Sequence, residues 1–387
     1  MKKKLSIIYV NFSPYDNAGR ILDYLISHFP LIIHFSYDHL RLKNGRKTNI
    51  LTVYRNGKAV KSQTLIPIRT PEFLRFPSLP LVAFLIFIQT YWYSKKILHG
   101  KEADYYLSVN AYTSWIGNFL RDRHIVKKTI FWIWDYFPPG YPDIRIQFLR
   151  WMYWKFDKPS LTKTDIITCI NRNLIKLRLD MKVLDPRRKY TIIPIGTNPI
   201  QSIPTRPVPI LGFLGMLKSS QGLNFIFDSL SAIHTKFPHI HFEIIGSGPE
   251  EAQFINRGKN WKKFVTFYGF IESENKVDEI IKRWSIGLAT YVPVQSNESY
   301  WTDPSKIKAY VSQGVPVITT DVPSFAKDIE KYDAGIIIPY GDTEKFLCAI
   351  ETILSKKVYY AQNAKRLANK YIYKRVYRSF FSHENKQ

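Results

Sequence analysis

The chain of 387 residues predicts an α/β protein of two Rossmann-like units, each built on a mostly parallel sheet. Its length exceeds what one ordinary hydrophobic core fills and suits two. Strand-length apolar runs alternate with helix-length segments in two separate series, which is the pattern of doubly wound sheets. Between the series lies a proline-rich stretch, Pro194, Pro199, Pro204, Pro207 and Pro209, with the character of an interdomain linker.

The first series runs Leu5–Phe12 (strand), Gly19–His28 (helix), Leu31–Phe35 and Tyr105–Val109 (strands), Trp115–Leu120 (helix) and Thr129–Trp134 (strand). The opening Met1-Lys2-Lys3-Lys4 and its apolar sequel are read as a first strand, because the apolar part is short and no small-residue cleavage site follows. Leu79–Tyr93 is the most apolar run, too short to cross a bilayer and interrupted by Gln89 and Thr90, so it predicts a helix that is buried or docked on a surface. The second series is cleaner. Strand Ile210–Phe213 leads to Gly215, then come helix Leu223–Phe237, strand His241–Ile245, the turn Gly246-Ser247-Gly248-Pro249 and strand Val265–Tyr268. Helix Lys276–Trp284, strand Ile286–Tyr291, helix Pro304–Gln313 and strands Pro316–Thr320 and Gly335–Ile338 complete it. The expected division is 1–203, 204–352 and a helical tail 353–387.

An apolar content of 45% with 22% charged residues belongs to a folded globular chain. Two distant cysteines, Cys169 and Cys348, make no disulfide framework or metal-ligand spacing, which fits a reducing, cytoplasmic setting. The net charge of +25 is uneven: residues 1–200 contribute +19, residues 201–350 −1 and residues 351–387 +7. A nucleic-acid binder would carry a basic stripe on its main folded face, and the near-neutral middle argues against one. Basic residues beside Trp132, Trp134, Trp151 and Trp154 suit the headgroup layer of an anionic membrane, or else a core of aromatics under a lysine-rich solvated surface. The nine histidines show no HExxH or paired Cys/His spacing, so no metal is expected, and hydrolase and P-loop signatures are absent from the sequence.

Asp303 is a good N-cap and Pro304 suits a first helical position, so the helix that follows should offer free N–H groups and a positive dipole end to an anion, with Ser305 and Lys306 beside it. Asp135 follows the buried strand Thr129–Trp134 at its carboxyl end, where it serves either chemistry or as a cap for the next turn.

Taken in order, Ile193-Pro-Ile-Gly-Thr-Asn198, Leu214-Gly215, Ile244-Ile-Gly246-Ser-Gly248-Pro249, Val265-Thr-Phe-Tyr-Gly269-Phe270 and Asp303-Pro-Ser-Lys306 with Gly314-Val-Pro-Val-Ile318 resemble the donor domain of the retaining glycosyltransferase family 4. The resemblance implies a GT-B fold, in which the two sheets face each other across a cleft and the C-terminal helix returns to the first domain. It implies a nucleotide-sugar donor, a lipid-linked or polysaccharide acceptor, retention of configuration, and neither metal nor other cofactor. By the same resemblance Gly19 and Arg20 face the donor phosphates with Ser305 and Lys306, and Gly269, Phe270 and Ile271 face the nucleobase. Gly215 and Gly246 belong to the turns of the donor site, where a glycine such as Gly246 serves either close approach or structure alone. Lys306 and Lys218 would stabilise the leaving diphosphate, and Asp135 would orient the acceptor. The chain departs from the family where Trp301 and Ala309 replace two glutamates, leaving Glu298 to stand in for the first. Met216 and Gln221 also replace an arginine and a lysine. A nucleotide-sugar-binding protein without turnover is the alternative. The basic ends imply a peripheral position on the inner face of an anionic membrane.

Overall fold

The computed structural model describes residues 5–11, 18–37, 49–66, 77–134, 136, 144–198, 208–294, 297–303 and 305–381. They form two compact units, residues 1–194 with 377–387, and residues 195–376. This differs from the division at 203/204 and 352/353. The helix Lys357–Lys370 stays with the second unit because Ala364, Leu367 and Ala368 are buried in its core beside Ile307 and Val311. Only the final turn, Tyr377–Phe380, joins the first unit, where Tyr377 and Phe380 pack edge-on against Trp132.

The first unit holds strands β1 (Ser6–Asn11), β2 (Leu31–Ser36), β3 (Ile50–Arg55), β4 (Lys58–Thr64), β5 (Ala103–Ser108), β6 (Val126–Ile133), β7 (Ile166–Cys169) and β8 (Thr191–Ile192), in the order β4-β3-β2-β1-β5-β6-β7-β8. All pairings are parallel except β2–β3 and β3–β4. The β3–β4 hairpin, absent from the sequence reading, turns on Asn56 and Gly57, both at positive φ (48° and 84°), the requirement of a tight two-residue turn. β1, β5 and β6 are buried on both faces, which is why their sequences run apolar without alternation. Helix Ala111–Asp122 lies between helices Leu79–Leu98 and Ile144–Lys163, joined to them through Phe87, Trp115, Tyr112 and Phe156.

The second unit is a six-stranded parallel sheet of β9 (Ile210–Leu214), β10 (His241–Ile245), β11 (Val265–Gly269), β12 (Ile286–Ala289), β13 (Val317–Thr319) and β14 (Gly335–Ile337), in the order β11-β10-β9-β12-β13-β14. The order reverses between β9 and β12, the place where ligands lodge in such sheets. Two strand glycines make room for large rings. A Cβ on Gly212 would overlap Trp284, and one on Gly287 would overlap Tyr310.

Candidate functional site

At the reversal point β9 and β12 are paired only at Leu211–Ile286 and Gly212–Gly287, and beyond that they separate. Tyr310, on helix Ser305–Ser312, fills the gap: its hydroxyl accepts from Leu214 N (2.8 Å) and donates to Leu288 O (3.1 Å). Lys306 lies one helical turn earlier on the same face and therefore enters the same opening. Its ammonium donates to Gln221 Oε1 (2.7 Å) and sits 4.2 Å from the ring centre of Phe213 and 4.8 Å from that of Tyr291. The lysine expected at an exposed helix start is thus buried. Among the described residues no carboxylate pairs with it. Burial, and to a lesser degree the charge of Lys218, lowers its pKa from 10.5 to about 7.

Gly215 borders this ammonium at φ 143°, and a Cβ there would stand 3.2–3.3 Å from the end of Lys306. The glycine thus lets the backbone pass close to the ammonium. Lys218 follows, paired with Glu298 at 3.7 Å. Asn297 ties the two segments together by donating to Ser220 O (2.9 Å) and Val292 O (2.8 Å), while Ser219 N donates to Glu250 Oε1 (2.9 Å). The fold therefore brings Gly215, Lys218, Gln221, Glu298 and Lys306 to the end of β9.

The glycines of the neighbouring turns divide into two kinds. Gly246, at φ 139°, and Gly248 lie against the backbone of residues 215–217, where a Cβ would collide, and Gly246 N donates to Gly269 O (2.8 Å). Their role is close packing of loops. Gly269 holds φ 64° with open space around it, and the next two residues, Phe270 and Ile271, line an open groove with Ser273 and Lys276. Ser305 is exposed at the helix start. Asp303, expected as the cap of that helix, has its Oδ2 engaged elsewhere. It accepts from Ile195 N (2.8 Å) and from the buried Lys308 ammonium, pinning the entry to the second unit.

Residues 208–356 match the family described as Glycosyl transferases group 1. Among solved structures the chain is similar to sucrose-phosphate synthase from Thermosynechococcus elongatus, with 14% identity, a TM-score of 0.68, and 98% of this chain and 100% of that one covered. It is similar also to Anabaena HepE, solved with UDP, with 11% identity, a TM-score of 0.63, and 99% and 100% covered. The pneumococcal O-GlcNAc transferase GtfA, solved with UDP and GlcNAc, has 12% identity and a TM-score of 0.59, with 91% of this chain and 69% of that one covered. Among curated proteins none matches the sequence. The fold is GT-B, and with the family match it supports a glycosyltransferase.

In the first unit of this GT-B chain, Gly19 and Arg20 both adopt left-handed conformations (φ 63° and 62°) after β1, a strain that Arg20 bears against its Cβ. Arg20 pairs with Asp23 at 3.4 Å, and Gly19 O accepts from Tyr377 (2.8 Å). Asp135 and Pro304 lie outside the described residues. The neighbours of Asp135, Trp134 and Tyr136, are buried at the end of β6. Sequence reasoning missed Gln221 as the partner of Lys306 and missed Phe213, Tyr291 and Tyr310 as its walls. The apolar strand ends carried no polar signal, and Gln221 read as a lost cation.

Proposed function

We propose that the chain transfers a sugar from a nucleotide-sugar donor to a lipid-linked or polysaccharide acceptor with retention of configuration. The carrying observation is the buried Lys306 ammonium. It has no carboxylate partner among the described residues and stands at the carboxyl end of a doubly wound sheet, beside a glycine at which a Cβ would crowd it. A cation desolvated in this way is stabilised by an anion, and a diphosphate supplies one. In this reading Lys306 and the nearby Lys218 stabilise negative charge growing on the departing diphosphate, so that no metal ion is assigned that task. Gly269, Phe270 and Ile271 take the nucleobase in their open groove, Ser305 adds a hydroxyl, and Glu298 positions Lys218. Asp135 orients the acceptor hydroxyl. The basic excess of residues 1–200 and 351–387 places the enzyme at the cytoplasmic face of an anionic membrane.

The test is a thermal-shift screen across UDP-, GDP-, ADP- and dTDP-sugars, followed by radiolabelled transfer in membrane extracts. Stabilisation by one nucleotide series with sugar incorporation supports the reading, and no stabilisation by any overturns it. Trp301 and Ala309, where two glutamates are usual, favour the second reading of a nucleotide-sugar-binding protein. Stabilisation without incorporation selects it.

A further inference from the structure

Two helices of the first unit carry an apolar stripe on their exposed side. In Leu79–Leu98 the buried side carries Leu79, Ile86 and Leu98 together with Gln89, Thr90 and Ser94, and Leu81, Phe84, Ile88 and Trp92 are exposed, Phe84 by 57% and Trp92 by 50%. Their spacing of three to four residues makes them one stripe. Gln89 and Thr90 are held in place. Gln89 Oε1 accepts from Ile66 N (2.9 Å), its Nε2 donates to Ile66 O (3.2 Å), and Thr90 exchanges a hydrogen bond with Tyr37 (2.9 Å). In Ile144–Lys163 the buried side carries Arg150, Asp157, Ser160 and Leu161, and Ile144, Phe148 and Trp151 are exposed, Ile144 by 77% and Trp151 by 55%. Asp157 is fixed by Arg178 (2.7 Å) and Ser160 by Ala111 O (2.8 Å). These bonds and the buried apolar residues fix which side of each helix faces inward, and a second, exposed apolar stripe is left on the outer side against the usual direction of hydrophobic burial.

Each stripe ends in the same pair. Lys96 Nζ stands 4.6 Å from the Trp92 ring centre and Lys155 Nζ 5.3 Å from that of Trp151. Lys95 and Lys158 are exposed beside them. The only acidic residue on either helix is the buried Asp157. Because both helices flank Ala111–Asp122, their outer stripes lie on one side of the unit. Apolar rings bordered by lysine and tryptophan, without exposed carboxylates, match the acyl and headgroup layers of an anionic leaflet. No helix among the described residues is long and apolar enough to cross a membrane.

We infer that these two stripes are a membrane-docking face, by which the protein lies on an anionic bilayer with Phe84, Ile88, Trp92, Phe148 and Trp151 inserted below the headgroups. The inference rests on the reading of a lipid-side acceptor but not on catalysis or on the donor site. The test compares the full chain with the quadruple variant F84S/I88S/W92S/W151S in co-sedimentation with phosphatidylglycerol–phosphatidylcholine vesicles. Wild type should bind, and part of the binding should survive about 1 M salt, where surface charge is screened. The variant should bind about tenfold less and lose the remainder at high salt, since what is left is electrostatic. Equal binding by both proteins, no binding by wild type, or complete loss from wild type at high salt overturns the inference. So does a lipid-free wild-type oligomer that the substitutions disperse. Nucleotide-induced thermal stabilisation, measured on both proteins without lipid, shows that the variant is folded. It also separates failure of the docking face from failure of the donor reading.

Discussion

Replacing Lys306 with methionine should stabilise the free protein while weakening its hold on a nucleotide diphosphate. The buried ammonium has its pKa lowered from 10.5 to about 7, chiefly by burial. At about 1.4 kcal/mol per unit this corresponds to about 5 kcal/mol, or about 4 kcal/mol at pH 7, where half of the folded protein has released the proton. Methionine keeps the apolar stem and removes that cost, but it leaves Gln221 Oε1 without its donor, which takes back about 1–2 kcal/mol. The net expectation is a gain of about 2 kcal/mol. The sign of the pH dependence follows from the lowered folded pKa. Between about pH 7 and 10.5 the unfolded chain binds more protons than the native one, so wild-type stability rises with pH across that window. The difference from the variant should shrink toward pH 10. A bound diphosphate restores the charge, so wild-type binding takes up a proton near pH 8 and weakens as pH rises. Loss of the charged hydrogen bond should cost the variant about 10–100-fold in affinity. Urea denaturation of both proteins at pH 7 and 9.5 measures the first effect, and calorimetry in two buffers of different ionisation enthalpy measures the second. A variant destabilised equally at both pH values, with nucleotide affinity intact, would refute the assignment of an unneutralised cation awaiting an anion.

Lys308→Met should behave in the opposite way, because it strands the buried Asp303 carboxylate, and a loss of about 3–5 kcal/mol in urea denaturation is expected. The double variant D303N/K308M should recover part of it. Gly248→Ala places a Cβ 2.5 Å from Leu217 backbone atoms and should cost about 1–3 kcal/mol in the same assay, whereas Gly269→Ala, with open space but φ 64°, should cost about 1 kcal/mol. Asp135→Asn should lower kcat far more than donor affinity in steady-state transfer assays, as befits a group acting on the acceptor in the transition state.

The strands of the second unit were legible because buried parallel strands are short apolar runs closed by glycine turns, and Ile210, His241 and Val265 start where that pattern predicts. The β3–β4 hairpin was equally legible in Asn56-Gly57, a strong two-residue turn signal. Other features were not open to local reading. Leu79–Leu98 and Ile144–Lys163 carry apolar residues all round, so their sequences do not say which side faces inward; the bonds that help decide this come from Ile66, Tyr37, Ala111 and Arg178. Asp303 has the composition of a cap, but its carboxylate serves Ile195. That partner lies 108 residues earlier in the sequence, a separation that no local rule spans.

The two lysines of helix Ser305–Ser312 show how the structure separates a site from its support. Lys306 and Lys308 are two positions apart, both are buried, and burial lowers the pKa of both. Lys308 is compensated by Asp303 and by Ile195 O (2.7 Å), so its charge is part of the architecture. Lys306 receives one neutral amide and two ring faces, which cannot repay the desolvation of an ammonium. A fold selected for stability alone would place methionine or leucine there, against Phe213 and Tyr291. Keeping a cation where the opening between β9 and β12 begins destabilises the free protein. Under the proposed function that destabilisation is relieved when an anion binds. A departure from local stability rules with no carboxylate partner among the described residues is expected where a ligand completes the structure, and this is the ground on which Lys306 is proposed as such a place.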